Sequence, residues 1–253
     1  KDGIFPPFLG IKILLKDQFN KGVKYLKYGE VLLKSKRNVA VILPAYNEEK
    51  TIGGVLEPLC AHELIDEVIV ISDGSSDNTA KIAKAYRTIV IELEKNQGKT
   101  NAVLLGVKST DADIILMLDA DLIGLKREHI TQLIWPVADG QADMTIGIFK
   151  FGRGATDFAQ KIAPFLSGQR GVKRTLFCKL EKHNVQDYGI EMALTLVAAK
   201  EKINVKQVYL SNLTHVMKEE KRGLGIGFLS RMKMYFDIMT SVVKFKINEN
   251  ASS

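Results

Sequence analysis

Four short apolar runs constrain this chain more than any other feature. Val39–Leu43, Glu67–Ile71, Thr88–Glu92 and Ile114–Leu118 each end in a polar cluster, and helical patterns separate them. Runs this short and bounded predict strands buried in a parallel sheet. The alternation β-α-β-α-β-α-β over residues 39–121 then implies right-handed crossovers. All the polar clusters fall at carboxyl ends, so they converge on one rim, where open α/β sheets bind ligands.

The fourth run carries the sharpest chemical signal. It passes straight into Asp119-Ala120-Asp121. Strand side chains repeat every two residues, so both carboxylates are expected on one side. Two hard oxygen ligands there suit Mg²⁺ or Mn²⁺ carrying a phosphate-bearing substrate. The bland alternative is two solvated acids in a turn.

Around these runs the pattern predicts helices through Leu59, from the Asp77-Asn78 caps to Tyr86, from Asn96–Thr100 through Val107, and near Arg127–Val137. A strand is predicted near Met144–Phe149. The later half is less regular: loop at Gly152–Gly154, helices at Ala155–Leu166 and Val172–Leu180, a helix over Tyr188–Glu201, and a strand over Val205–Leu210. Basic amphipathic helices are predicted at both ends, over 8–34 and 224–245. They read either as faces packed on the domain or a second copy of the chain (a homodimer), or as contacts with a membrane surface.

At 253 residues, 46% hydrophobic and 26% charged, the chain fits one large α/β domain of a soluble protein. No apolar run approaches the roughly 18 residues of a membrane span. The chain opens at Lys1 rather than methionine, so a trimmed N-terminus is expected. The net charge of +7 is uneven. Residues 1–38 hold nine Lys/Arg against three acids, residues 216–253 seven against four, and the middle twenty against twenty-two. Basic ends attract anionic lipid, nucleic acid or a phosphorylated substrate, or are solvated helix faces. Cys60 and Cys178 lack metal-ligand spacing and read as free core thiols of a reducing compartment.

Three motifs are decoys. Gly98-Lys99-Thr100 opens a helix after a strand, but a P-loop needs glycine where Leu93 stands. Lys99 can still meet a phosphate at that helix N-terminus. Gly223-Leu224-Gly225-Ile226-Gly227 lacks dinucleotide spacing. The sequon Asn212-Leu213-Thr214 carries no meaning in a cytosolic chain.

In order along the chain stand Pro44-Ala45-Tyr46-Asn47-Glu48, Asp73-Gly74-Ser75-Ser76-Asp77, Asn96-Gln97-Gly98-Lys99 and Asp119-Ala120-Asp121. Together they resemble family 2 glycosyltransferases and relatives with the GT-A fold, over about residues 38–215. The resemblance implies a Rossmann-like α/β fold with a mostly parallel sheet. It forms one domain: a basic extension (1–38), a nucleotide half (39–121), an acceptor half (122–215) and a helical extension (216–253). It places Pro44, Ala45, Tyr46, Glu48, Ser72, Asp73, Lys99, Asp119 and Ala120 around a nucleotide diphosphate sugar, UDP favoured over GDP. Thr100 stands where the family usually has glycine.

Further on, Ser167-Gly168-Gln169-Arg170, Tyr188-Gly189-Ile190-Glu191 and His215 look like the branch of glucosyl-3-phosphoglycerate synthases. That likeness implies acceptor contacts from Ser167, Gly168, Gln169, Arg170 and Tyr188, a sugar contact from Glu191, and a metal site of Asp121, His215 and Asp119. Imidazole in the set suits Mn²⁺ better than Mg²⁺. Polyprenyl-phosphate glycosyltransferases share the first four motifs, but many carry a polar ligand where Ile123 stands here.

The expected activity is metal-dependent sugar transfer from a nucleotide diphosphate sugar to a hydroxyl or phosphate, in the cytoplasm or at the inner membrane face, with no nucleic acid. Catalytic candidates are Glu191, Asp121 and Lys99, with charge stabilisation from Lys99 and Arg170. An inverting reaction would take Glu191 or Asp187 as base, whereas a retaining one needs none opposite the leaving group. Phosphorylated small acceptors fit Arg170, Lys173 and Arg174; lipid phosphates fit the basic ends. Nucleotidyl transfer and a non-catalytic nucleotide-binding module are the readings from other classes.

Overall fold

The computed structural model describes residues 37–150, 167–182 and 189–215. In chain order the elements are β1 (Val39–Ala45), α1 (Ile52–Cys60), β2 (Glu67–Asp73), α2 (Thr79–Lys84), β3 (Ile89–Leu93), α3 (Lys99–Lys108), β4 (Ile114–Met117) and β5 (Leu122–Ile123). They continue with α4 (Arg127–Ala138), β6 (Met144–Lys150), β7 (Arg170–Lys173), α5 (Thr175–Lys182), α6 (Ile190–Lys200), β8 (Val205–Ser211) and β9 (Thr214–His215). The terminal helices and the helix expected over Ala155–Leu166 lie outside the described residues.

The main sheet runs β3-β2-β1-β4-β7-β6-β8. The four apolar runs are its parallel half. Their lack of alternation reflects burial on both faces. Val39, Val41 and Leu43 pack toward α1 and α4, while Ala40 and Ile42 pack toward α3, α5 and α6. Burying a large aliphatic side chain contributes about 1.5–3 kcal/mol. A single backbone hydrogen bond contributes about 1 kcal/mol net. Side-chain burial therefore sets the register, which brings the strand ends level: Ala45 lies opposite Ser72, and Ile42 opposite Met117. Strand order reverses between β1 and β4, so a crevice opens at their carboxyl ends.

The later half departs from expectation at one point. Residues 170–173, placed before and within a helix by their pattern, form β7, antiparallel to both β4 and β6. The helix α5 starts only at Thr175. Arg170-Gly171-Val172-Lys173 has one aliphatic residue and no strand signal of its own. It is buried because α4 crosses it closely: a β-carbon on Gly171 would overlap the Leu133 carbonyl. Two short strands, β5 and β9, also escaped the pattern and pair antiparallel beside the rim.

The reading of both cysteines as core thiols holds only in part. Cys60 is half-buried against the core, but Cys178 is exposed on α5. No helix among the described residues is long and apolar enough to cross a membrane.

Candidate active site

The first two rim loops are laced together. Asn47, at φ 55°, donates its N–H to Ser75 Oγ and accepts the Ser76 N–H on Oδ1 at 2.8 Å. The Glu48 N–H donates to Thr79 Oγ1 at 2.8 Å, and the Glu49 N–H to Asp77 Oδ2. Burial would raise the Asp77 carboxyl, but hydrogen bonds from Thr79 and Glu49 outweigh it and hold it below the usual range. The third loop hangs on Asp73. Its Oδ1 accepts the Gln97 N–H at 2.7 Å and its Oδ2 the Gly98 N–H at 2.9 Å. A carboxylate has lone pairs to spare, so Asp73 can fasten this loop and still face a ligand.

These loops wall a cleft of about 670 Å³ lined by Pro44, Ala45, Tyr46, Glu48, Asp73, Asn96, Gly98, Lys99, Asp119, Ala120, Asp121 and His215. Tyr46, in the lining, is 47% exposed. Lys99, the first residue of α3, places Nζ 2.5 Å from Asp119 Oδ1 and 2.6 Å from Glu191 Oε1. Gln169 Nε2 donates to the other Asp119 oxygen at 2.8 Å. A β-carbon on Gly168 would lie 2.6 Å from Asp119 Oδ2 and 2.8 Å from Lys99 Nζ, so only glycine leaves the pair undisturbed.

Asp121 Oδ1 lies 3.0 Å from His215 Nδ1, and the His215 ring packs tilted on Phe149 with centroids 4.8 Å apart. Asp119, Asp121 and His215 each offer one ligand atom, and these atoms all lie within 4.8 Å of one another. Two carboxylates and an imidazole at that separation fit a divalent cation of the Mn²⁺ or Mg²⁺ type.

The charges are coupled. Burial would pull the Lys99 ammonium down, but the carboxylates of Asp119 and Glu191 outweigh it and hold its pKa above the ordinary lysine value. Burial would likewise raise Asp119, yet Lys99, then His215 and Gln169, hold it below the usual carboxylate range. A raised lysine stabilises the fold below its unfolded pKa of about 10.4, and a depressed aspartate stabilises it above about 3.9. The pair's contribution is therefore present across neutral pH and is lost as pH falls through the Asp119 pKa. Lys99→Met is expected to lower the metal-free melting temperature at pH 7. The deficit should shrink toward pH 4 as the stranded Asp119 carboxylate, buried without its cation, protonates. Melts from pH 4 to 8 in chelator check this, and a deficit constant with pH would contradict it.

Most expected site residues meet at the cleft. Ser72 instead is buried opposite Ala45 in the ladder, one residue short of the lining. Ser167 is buried too, with Oγ beside the Gly147 carbonyl and Gln169 Oε1. Gln169 is itself fully buried, and its amide orients Asp119 from behind.

Arg170 is a correction. It is 0% exposed, donates from Nε to the Ser167 carbonyl and from Nη1 to Thr195 Oγ1, and so clamps β7 to α6. Burial pulls its guanidinium down to about 10, against the nearby Glu191 carboxylate. These bonds face away from the described lining of the cleft. Lys173 and Arg174 are corrections as well, because they pair with Asp143 and Asp111 at the opposite rim of the sheet. Tyr188 and Asp187 lie outside the described residues. Asn96 and Gly98 line the cleft but were not singled out as site residues; their motif was the available signal.

The same architecture recurs in solved structures. Glucosyl-3-phosphoglycerate synthase from Mycobacterium tuberculosis, in complex with Mn²⁺, UDP-glucose and phosphoglyceric acid, superposes with a TM-score of 0.62 at 26% identity, over 74% of this chain and 75% of that one. The Mg²⁺ and UDP complex of the enzyme gives 0.62 at 27% identity over the same shares. The fold is thus of the GT-A type. Among curated proteins, 4,4'-diaponeurosporenoate glycosyltransferase of Staphylococcus aureus is 34% identical over 103 residues, 39% of this chain and 28% of that protein. The chain therefore spans less than a third of the length of that relative. The family model for glycosyl transferase family 2 matches residues 40–202, well over half of the sequence, and the chain belongs to that family.

Proposed function

We propose that this chain transfers a hexose from UDP-sugar to an acceptor hydroxyl or phosphate with a divalent metal held by Asp119, Asp121 and His215. Residues 39–121 serve as the nucleotide half and 122–215 as the acceptor half of one domain. The observation that carries the reading is the convergence of three metal-type ligands, two from the turn after β4 and one from β9, at a cleft walled by the loops of β1, β2 and β3. The glucosyl-3-phosphoglycerate synthase complexes with Mn²⁺ or Mg²⁺ and UDP support the same cofactor here.

A metal bound there supplies Lewis-acid neutralisation of the departing diphosphate. The chain's own residues do the rest. Pro44, Tyr46 and Asp73 hold the base and ribose end, and Tyr46 offers an exposed ring face. Lys99 keeps Asp119 ionised and adds a fixed positive charge beside the diphosphate. Glu191 is ion-paired to Lys99 at 2.6 Å, which holds its carboxylate in place and occupies one of its oxygens. It suits positioning of the sugar better than general-base work, which favours a retaining transfer. In that transfer the bond from the anomeric carbon to the diphosphate oxygen breaks, the bond to the acceptor oxygen forms, and the acceptor proton passes to the departing diphosphate.

Two acceptor classes remain. A phosphorylated small molecule such as 3-phosphoglycerate is supported by the solved relatives. A larger, lipid-type acceptor is favoured by one observation: Arg170, Lys173 and Arg174 do not reach the cleft, whose described lining holds a single Lys or Arg, Lys99. Incubating the protein with Mn²⁺, a panel of UDP- and GDP-sugars, and either 3-phosphoglycerate or a polyprenyl phosphate tests both. The expected result is UDP release with one acceptor and one glycosylated product by mass spectrometry. Absence of both nucleotide release and metal-dependent nucleotide binding would overturn the proposal.

A further inference from the structure

One buried imidazole near the site has no part in the chemistry above. His129 is the third residue of α4 and is 5% exposed. Its Nδ1 accepts the Lys126 N–H at 3.2 Å, so Nε2 carries the proton and donates to the Ser211 carbonyl at 3.0 Å. In a capping box a Glu or Gln side chain makes the first of these bonds, reaching back to the N-cap N–H. An imidazole makes it with one nitrogen and has the other left for a distant strand. Burial depresses its pKa and keeps the ring neutral, as this pair of bonds requires.

Ser211 ends β8, and His215 follows within four residues. Between them the chain reverses through Asn212, at φ 60°, and fully buried Leu213. On the far side of this corner the Asn212 carbonyl lies so close to Gly124 that a β-carbon there would come within 2.8 Å of it. β9 itself is only two residues long, with Thr214 opposite Ile123 and His215 opposite Leu122. So short a strand has little hold of its own. The aim of His215 at Asp121 depends on where the corner is pinned.

We infer that His129 is a positioning residue for His215: its bond to Ser211 pins the β8–β9 corner so that the His215 imidazole meets Asp121 in metal-binding geometry. The inference rests on the metal-site reading proposed above. A hydrogen-bonded group that orients a metal ligand typically contributes 10–100-fold in metal affinity.

The test uses three variants and two binding measurements. Mn²⁺ affinity is read from the free-ion electron paramagnetic resonance signal with UDP present, and UDP affinity without metal by calorimetry. His129→Asn keeps an acceptor for the Lys126 N–H but cannot reach Ser211. It is expected to weaken Mn²⁺ binding about tenfold and to leave metal-free UDP binding unchanged. His129→Gln can span both partners and should recover most of the loss. His215→Ala is the control that removes the ligand itself. Wild-type Mn²⁺ affinity in His129→Asn, equal losses in the Asn and Gln variants, or a parallel loss of metal-free UDP binding would each overturn the positioning role. If His215→Ala binds Mn²⁺ as tightly as the wild type, the metal-site reading has failed and the inference falls with it.

Discussion

Asp121→Ala is expected to lower turnover by about 10³-fold. Loss of a group that merely orients a metal ligand costs roughly 10–100-fold, and Asp121 is placed to bind directly. A thousandfold change corresponds to about 4 kcal/mol of transition-state stabilisation. The substitution also leaves His215 Nδ1 without the oxygen it faces at 3.0 Å. It leaves the opposite end of the cleft intact, because Pro44, Tyr46 and Asp73 make no bond to Asp121. The separation is therefore diagnostic. Turnover and Mn²⁺ binding should collapse together, while UDP binding in chelator stays near the wild-type value. Turnover within tenfold of wild type would remove Asp121 from the metal site.

Gly74→Ala should have the largest effect on folding. Gly74 has φ 70°, which costs an L-residue about 1–2 kcal/mol. Strain alone is not the main term. A β-carbon there would overlap the Asn96 nitrogen and lie 2.5 Å from the Lys95 carbonyl carbon. Both are backbone atoms of the loop that Asp73 holds through the Gln97 and Gly98 N–H groups. Neither can swing aside as a side-chain tip would. A loss of about 3–4 kcal/mol is expected, or roughly 10 °C in melting temperature for a chain of this size. Gly98→Ala is the matched control. Its φ of 88° and ψ of 154° lie in a region almost restricted to glycine, but nothing lies within 4 Å of the added carbon, so only backbone strain of about 1–3 kcal/mol applies. Thermal melts of the two variants side by side check this. Equal losses would mean that the overlap with residues 95 and 96 is relieved without cost.

The side of the cleft built by the loops of β1, β2 and β3 was legible because its signals are local. Ile42 and Leu43 are apolar for both faces of a buried strand, and the apolar run gives way at Pro44 to the polar cluster. Asp73-Gly74 combines a carboxylate that fastens a neighbouring loop with a residue that tolerates positive φ. Asp119 and Asp121 are two residues apart, so short-range geometry alone sends them to one rim. Boundaries moved by a residue or two, as when β1 ran on to Ala45, but the rim did not move.

The side formed around β7 was not legible in the same way. Arg170 reads as a surface cation, and in isolation it would be one. It is buried because β7 fills the gap between β4 and β6, where Ser167 and Thr195 each accept one of its N–H groups. Gln169 gives no sign in the sequence that it orients Asp119, fifty residues away. Nor does His129 show its hold on Ser211, since a histidine in a first helical turn is ordinarily just exposed.

The sequence by itself determined the layered α/β plan, the rim and the identity of the loops on it, because hydrophobic period and turn chemistry act over a few residues. Only the tertiary structure decided that Lys99 bridges Asp119 and Glu191, that Arg170 turns inward, and that His215 reaches Asp121 across 94 positions. Those outcomes depend on which strands become neighbours. That choice is made by burial summed over the whole sheet, and no local stretch of residues encodes it.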